Sequence, residues 1–212
     1  MKTVELIAAL ATAGAEPAPP RRPSHALAPA VAIGAVAAVV LVAVWLGVQP
    51  LSVAARASWF WIKVGYGLSM AAAGFVLAVS LARPQGRIRA AGLALAIAAA
   101  AAIWGAAVYV AMTSDGAPAL WLGSSWKSCP IRIVVLALPI LAGAALALRS
   151  LAPTQLRPAG AAAGLLAGGL SVVIYGLFCQ ETAVPFVALW YSLGILACVA
   201  IGAMAGPRLL RW

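Results

Sequence analysis

The sequence contains few charged residues. Asp, Glu, Lys and Arg together make up 8% of its 212 residues, whereas hydrophobic residues make up 65% and the mean hydropathy is +1.07. This apolar content is more than a water-soluble core of that length can bury. The composition therefore excludes an ordinary soluble domain and predicts an integral membrane protein.

Acidic residues and histidine are scarcer still, which argues against several kinds of active site. There are four acidic residues, three cysteines without a CxxC pair, and one histidine, His25. These residues form no recognisable catalytic triad, zinc pattern or phosphate-binding loop. We therefore expect a protein that is not an enzyme and that needs no resident cofactor.

The scarcity of acids leaves a net charge of +10. An excess of this kind can indicate nucleic-acid binding, but the basic residues lie in short clusters between apolar runs, not on one face of a soluble domain. Membrane topology explains this distribution better. We expect the lipid bilayer as a partner and no direct contact with nucleic acid.

Six apolar segments are long enough to cross a membrane as helices. Each has about 19 to 24 residues, which spans a hydrocarbon core of about 30 Å with modest tilt. The segments lack the alternating polar positions of a barrel strand, and a helix satisfies its own backbone groups in lipid. We predict an all-α polytopic bundle in residues 27–206, with transmembrane helices over residues 27–48, 59–82, 90–112, 130–148, 158–178 and 184–205.

Lysine and arginine are concentrated on one side of these spans. If the amino terminus is cytoplasmic, ten basic residues lie in inner segments and only Arg56 and Lys127 lie in outer loops. This bias predicts that both termini are cytoplasmic and that Cys129 and Cys179 face outwards. In a bacterium that side is the periplasm, where paired cysteines persist as disulfides. The ten inner residues are Lys2, Arg21, Arg22, Arg83, Arg87, Arg89, Arg149, Arg157, Arg208 and Arg211.

The two chain ends are predicted to lie outside the membrane, as a cytoplasmic segment over residues 1–26 and a basic tail over residues 207–212. Thr3 suits the N-cap of a short helix that ends near Ala11, and the Pro-rich residues 12–24 should form a stiff spacer. The helix is either a frayed tail or a tethered peptide whose apolar face docks in a partner's groove. Its apolar run is too short for a signal peptide, so we expect it to be retained.

Cys129 and Cys179 are predicted to meet. They flank the spans over residues 130–148 and 158–178, which a short turn joins as an antiparallel hairpin, so both lie at the same depth. Two thiols held there can form a disulfide or ligate one soft metal ion. Cys198 lies about fourteen residues inside the last span, and we interpret it as a small buried apolar residue.

Two basic residues lie just inside helix ends, at Lys63 and Arg132. They either extend to the outer interface as anchors or lie beside the cysteines and make a thiol reactive. Glu181 either supplies an oxygen ligand to a metal or caps a solvated turn, and the turn is favoured.

Aromatic and glycine positions complete the pattern. The aromatic residues near the outer helix ends have the distribution of an interfacial belt. Glycines recur every four residues in the fifth span and again near the end of the sixth, which indicates close helix packing. The aromatic residues are Trp59, Phe60, Trp61, Trp190 and Tyr191, and the glycines are Gly160, Gly164, Gly168, Gly169, Gly176, Gly202 and Gly206.

Five segments carry a resemblance to a known family. They are residues 2–10, 61–67 and 189–191, together with the two cysteine segments GSSWKSC (123–129) and YGLFCQE (175–181). At these segments the chain resembles the NrsF family of membrane anti-sigma factors, which restrain extracytoplasmic-function sigma factors in bacteria. The resemblance covers nearly the whole chain, and its cysteine segments are the most specific.

The resemblance implies a six-span protein of the bacterial cytoplasmic membrane whose inner face holds a sigma factor inactive. It also implies that Cys129 and Cys179 sense heavy-metal or oxidative stress, with a heavy-metal ion bound only transiently. The surface that contacts the sigma factor is our own inference, which combines an apolar face of the amino-terminal helix with basic residues of an inner loop. These residues are Leu6, Ile7, Leu10, Arg83, Arg87 and Arg89.

Two other functions fit the same composition. A membrane thiol-disulfide redox protein would use the outward cysteines, but such enzymes normally relay electrons through a CxxC or a second cysteine pair. A small membrane transporter would normally place an acidic residue at mid-membrane, and the predicted spans contain none.

Overall fold

The computed structural model describes residues 3–12, 22–47, 56–83, 85–114 and 117–211. Within these ranges the chain is helical and contains no strand, which confirms the all-α prediction. Six of its helices are long and apolar enough to cross a membrane, namely α2, α3, α4, α6, α7 and α8. The helices are α1 (Thr3–Thr12), α2 (Pro23–Leu46), α3 (Ser58–Leu81), α4 (Ala90–Thr113), α5 (Ala117–Leu122), α6 (Cys129–Arg149), α7 (Leu156–Gly176) and α8 (Val184–Leu209).

Several helix ends differ from the predicted spans. α2 begins at Pro23 and not at residue 27, because proline has the φ angle of a first helical residue and no N–H group that needs a partner there. α8 continues to Leu209, past residue 205, because buried Leu210 holds the helix end against the bundle and donates its N–H to the Gly206 carbonyl at 2.9 Å. The predicted limits of the two cytoplasmic segments therefore fall inside helices.

Successive long helices run in opposite directions, so the bundle has two ends. We call the end where α6 begins and α7 finishes the cysteine end, because Cys129 and Cys179 lie there. The opposite end, where α2, α4 and α7 begin, is the basic end. Its described arginines are Arg22, Arg83, Arg87, Arg89, Arg149, Arg157, Arg208 and Arg211.

Helix α7 is the centre of the bundle, because 78% of its most apolar stretch is buried, against 11% for α4. On one face Gly160, Gly164 and Gly168 lie against α8, and a β-carbon at Gly164 would come 2.8 Å from the carbonyl carbon of Cys198. Backbones at this distance leave no room for a side chain. The predicted glycine seam is confirmed between α7 and α8.

The opposite face of α7 packs against α3 through a second set of glycines. A β-carbon at Gly67 would lie 2.8 Å from the Gly169 carbonyl oxygen, and one at Gly74 would lie 2.7 Å from the Leu166 Cα. Gly169 therefore belongs to the α3 contact and not to the α8 seam. Gly176 has no neighbour that a β-carbon would meet within 4 Å, so it takes part in neither contact.

Helix α2 covers α6 by a similar close approach. A β-carbon at Gly34 would lie 2.6 Å from the carbonyl oxygen of Pro139. Pro139 lies within α6 and has no N–H group for the helical ladder, so this turn of α6 lacks one backbone hydrogen bond.

The predicted amino-terminal helix is present as α1, although Thr3 is its first residue and not its cap. Val4 and Ile7 are exposed on it. Most of the predicted Pro-rich spacer, residues 13–21, lies outside the described residues, as do Asp115 and Gly116 of the outer loop.

The glycine seam yields a stability prediction. We expect Gly164→Ala to lower the free energy of unfolding by about 1 to 3 kcal/mol, because its methyl group must displace backbone of α8. Gly105→Ala is the matched control, since Gly105 lies on α4 with no atom within 4 Å of a new β-carbon. The measurement is unfolding of the purified protein in mixed micelles. Equal stability of the two variants would contradict the packing.

Candidate functional site

The two cysteines that flank α6 and α7 come together in one buried cluster at the cysteine end. Cys129 is the first residue of α6, and Cys179 follows α7 by three residues. Their side chains are 0% and 2% exposed, both are free thiols, and they lie close enough for a charge on either one to act on the other and on Lys63. The hairpin predicted from the sequence therefore brings the pair together.

Lys63 of α3 is buried in this cluster and does not extend to the interface. Its ammonium group donates a hydrogen bond to the Cys179 carbonyl oxygen at 2.9 Å. The same group lies 4.5 Å from the ring centroid of Trp59 and 5.8 Å from that of Tyr191. The anchoring interpretation of Lys63 is therefore wrong. A carbonyl oxygen and two aromatic faces replace the water that the buried cation has lost.

Two buried tyrosines complete the cluster. The Tyr175 hydroxyl lies near the Cys129 thiol and the Tyr191 hydroxyl lies near the Cys179 thiol. Neither hydroxyl makes a hydrogen bond of ordinary geometry with any residue that the structure describes. Buried hydroxyl groups without partners are costly, at about 1 to 3 kcal/mol each. Both are therefore available to donate to sulfur atoms that become negatively charged.

Sequence reasoning missed both tyrosines as members of the site. Tyr175 precedes Cys179 by four residues, a helical spacing that could have indicated that Tyr175 lies near the cysteine pair. The belt prediction is wrong for Tyr191, because its side chain is fully buried. Tyr191 is the last residue of a π-helical turn in α8, Val187–Tyr191, and the sequence carries no signal for that turn.

The remaining aromatic residues divide between the belt and the core. Trp61 is 58% exposed, as expected of an interfacial residue, whereas Phe60 is buried. Trp190 donates its indole N–H to the Trp121 carbonyl oxygen at 2.7 Å and stacks 5.4 Å from Trp126. The belt prediction is therefore wrong for Phe60. Trp190 therefore links α8 to the segment that precedes Cys129.

Glu181 closes the loop over the cysteines. One of its carboxylate oxygens accepts four hydrogen bonds of 2.6 to 3.0 Å from the backbone N–H and hydroxyl groups of Ser124 and Ser125. Gly123 enters this turn with a φ of 57°, and a side chain there would meet the Phe186 ring and Glu181 itself. The structure therefore favours the turn-capping role of Glu181.

The hydrogen bonds determine the protonation of Glu181. Partial burial opposes the charged form and raises its pKa. The four donors from Ser124 and Ser125 outweigh this effect and hold the pKa of Glu181 below its ordinary value of 4.5. Glu181 is therefore an anion at neutral pH.

An open pocket of about 520 Å³ leads from the surface to the cluster. Arg132 lies on its wall, with its guanidinium carbon 5.1 Å from the Phe178 ring centroid, and Tyr175 and Cys179 are also among the lining residues. Cys129 is not among them. Of the two cysteines, Cys179 is therefore the one that borders the pocket.

The chemistry of the donors limits which metal ion fits. Two thiols without a third Cys, His, Asp or Glu close by are too few for a four-coordinate structural zinc site within the described ranges. A soft cation that forms strong bonds to two thiolates suits them better. Cys129 and Cys179 would be its ligands.

The remaining predicted site residues are three arginines at the basic end and three residues of α1. Arg83, Arg87 and Arg89 are exposed at the basic end, and Leu6 and Ile7 are exposed on α1. Leu10 belongs to α1, but its side chain lies outside the described part of the structure. Cys198 is buried in α8 against Gly168 of α7, which agrees with the interpretation of a packing residue.

Comparison with known proteins identifies one family for this chain. Residues 10–212 match the model of the family described as negative regulator of sigma F, NrsF. The chain is 44% identical to the anti-sigma-F factor NrsF of Caulobacter vibrioides (strain NA1000 / CB15N) and 37% identical to a probable anti-sigma-F factor NrsF of Azospira oryzae (strain ATCC BAA-33 / DSM 13638 / PS). Both alignments cover 100% of each chain. No solved structure matches the chain significantly.

The hydrogen bonds that Glu181 accepts from Ser124 and Ser125 yield a prediction about pH. Folding lowers the pKa of Glu181, so its carboxylate stabilises the folded loop fully at pH values above the ordinary pKa of the group. This stabilisation is lost as the pH falls through the lowered pKa of the folded state. We expect the amide protection of Ser124 and Ser125, corrected for intrinsic exchange, to fall on acidification below pH 4.5.

Hydrogen exchange of intact protein and of Glu181→Gln measures this effect. In the variant we expect weaker protection of Ser124 and Ser125 that does not change with pH. Glu5→Gln is the matched control, because it removes the same charge from α1. Constant protection in the intact protein between pH 6 and pH 3 would contradict the role of Glu181.

Proposed function

The chain belongs to the NrsF family of negative regulators of sigma F, and from this membership we propose an inner-membrane anti-sigma factor for an extracytoplasmic-function sigma factor. In this proposal the six long helices cross the bacterial cytoplasmic membrane, and residues 1–26 and 207–212 lie in the cytoplasm. The cysteine end then faces the periplasm. The role is regulatory, in line with the family.

One observation carries the sensory part of the proposal, namely the buried cluster of Cys129 and Cys179. The two residues are fifty positions apart in the sequence, yet α6 and α7 hold them together behind the Ser124–Glu181 loop. A packing role alone requires no second thiol beside the first. A pair that reacts as a unit requires both.

Two reactions of the pair are chemically balanced. Oxidation by a peroxide removes two electrons and two protons from the two thiols, forms one S–S bond and releases water. Binding of a soft divalent cation such as cadmium displaces two protons and forms two metal–sulfur bonds. Either product ties the start of α6 to the segment that follows α7.

The cross-linked state would act on the basic end through the helices. α6 and α7 finish and begin there at Arg149 and Leu156, and α7 contacts both α3 and α8 backbone to backbone. A tilt of α7 would therefore move its neighbours also. A coupling free energy of about 1 to 3 kcal/mol would change sigma-factor affinity by about 5-fold to 150-fold.

The sigma factor would bind at the basic end and to α1. Arg83, Arg87 and Arg89 are exposed in the segment between α3 and α4, where they attract an acidic partner surface. On α1 the exposed side chains of Val4, Leu6 and Ile7 provide an apolar face. A short helix of this kind gains stability when it docks in a groove.

The cysteine cluster yields a chemical prediction. We expect hydrogen peroxide or diamide to produce one intramolecular disulfide between Cys129 and Cys179, because burial keeps other thiols away. Peptide mass spectrometry under non-reducing conditions measures it. Cys198→Ser is the control and should react like the intact protein. A disulfide that involves Cys198, or intermolecular products alone, would contradict the assigned pair.

The proposed partner surface yields a binding prediction. We expect a sigma factor to co-purify with the intact chain from membranes. Its retention should fall at least about ten-fold when residues 2–12 are removed or when Arg83, Arg87 and Arg89 become Gln. Close charge pairs at an interface contribute roughly 1.5 kcal/mol or more, which corresponds to a loss of that size. Lys127→Gln is the control, because it removes a charge at the cysteine end.

Retention unchanged by both variants would place the contact elsewhere at the basic end. If none of the sigma factors from the source genome is retained by the intact chain, the anti-sigma proposal is contradicted.

A further inference from the structure

A second pocket lies at the basic end, between the first turn of α7 and the last two turns of α8. Its volume is about 730 Å³. Three arginines line it, Arg157 from α7 and Arg208 and Arg211 from α8 and the residues just after it. Apolar side chains form the rest of the wall, including Leu156, Met204 and Pro207.

The glycine seam brings these arginines together. Gly206 of α8 lies directly against the backbone carbonyl of Leu156, and Gly160 lies against Gly202 one turn further in. Because the two backbones touch here, residue 157 on α7 is held next to residue 208 on α8. The pocket is therefore built by the same packing that forms the core.

Within the part of the chain that the structure describes, no carboxylate balances the charge of the pocket. All three arginines are exposed, and none forms an ion pair with a carboxylate in the described ranges. The carboxylates in those ranges are Glu5 of α1 and Glu181, and Glu181 lies at the opposite end. Three neighbouring guanidinium groups repel one another unless an anion lies between them.

The shape of the pocket indicates an amphipathic anion. Met204 precedes Arg208 by four residues, so both lie on one face of α8, and Met204 is 66% exposed. The pocket therefore presents arginines at its outer part and an exposed apolar side chain one turn towards the middle of the helix. An acidic protein segment would use the arginines but has no need of the apolar surface beside a span.

We propose that this pocket binds the phosphate group of an anionic phospholipid, with Arg157, Arg208 and Arg211 around the phosphate and the acyl chains along Met204. Guanidinium groups bind phosphate oxygens through paired hydrogen bonds, and basic pockets between membrane helices recognise such head groups. The inference rests on the proposed membrane embedding and is independent of whether a sigma factor binds.

Native mass spectrometry of the full-length protein in detergent tests this site. The probes are phosphatidylglycerol and cardiolipin, with phosphatidylcholine as the neutral reference. We compare the intact chain with the triple variant Arg157→Gln, Arg208→Gln and Arg211→Gln. The matched control is Arg83→Gln, Arg87→Gln and Arg89→Gln, which loses the same charge from the same end. A third variant with Lys at 157, 208 and 211 retains the charge, and thermal unfolding of each variant confirms that it is folded.

We expect one anionic lipid to be retained over phosphatidylcholine by the intact chain and by the control. Its affinity should fall by about five-fold for each pocket arginine replaced by Gln and be largely kept by the Lys variant. Equal losses of lipid affinity in the pocket and control Gln variants would overturn the proposed site and indicate a diffuse surface potential instead. No loss of lipid affinity in either variant would also overturn the proposed site.

Two further measurements identify the source of the anion. Displacement of the lipid by inorganic phosphate at equal concentration would overturn the lipid assignment in favour of free phosphate. Loss of sigma-factor retention in the pocket variants, with lipid binding unchanged, would overturn it in favour of a protein contact. If the chain binds anionic lipid as predicted but no sigma factor, the site stands and only the proposed function fails.

Discussion

Backbone contact along α7 is the constraint on which the rest of the structure depends. Glycines allow this helix to touch α8 on one face and α3 on the other, so three helices share positions that side chains would normally occupy. At one end this contact places Cys179 beside Lys63 of α3 and Tyr191 of α8. At the other end it places Arg157 beside Arg208. The same glycine contacts therefore position the residues of the cysteine cluster and of the arginine pocket.

The cysteine cluster combines groups that seldom share an apolar interior. A buried lysine is held by a carbonyl oxygen and two aromatic rings, while two tyrosine hydroxyls beside the thiols make no ordinary hydrogen bond with the described residues. Buried polar groups are costly unless they are paired, so stability alone does not account for this arrangement. Sulfur atoms that gain negative charge, in a thiolate or a metal–thiolate bond, would give the lysine and both tyrosines partners.

The sequence predicted the features that depend on length and period. Six apolar runs, the glycine seam and the meeting of Cys129 with Cys179 follow from span lengths and from the rise of a helix, and the structure has all three. The direction of individual side chains could not be predicted. Lys63 and Tyr191 lie near helix ends, where an anchoring role is the common one, yet both side chains are fully buried in the bundle. The arginine pocket was also missed, because Arg157 and Arg208 are far apart in the sequence and meet only through the seam.

We propose that the state of the two thiols at the cysteine end changes the binding of a sigma factor at the basic end. The most direct test is the sigma-factor dissociation constant of the purified protein in nanodiscs, measured before and after one equivalent of cadmium. The account predicts an increase of at least about five-fold for the intact chain, the lower limit of ordinary coupling between sites, and no change for Cys129→Ser/Cys179→Ser. Equal affinity with and without cadmium in the intact chain, at full occupancy of the thiols, would contradict it.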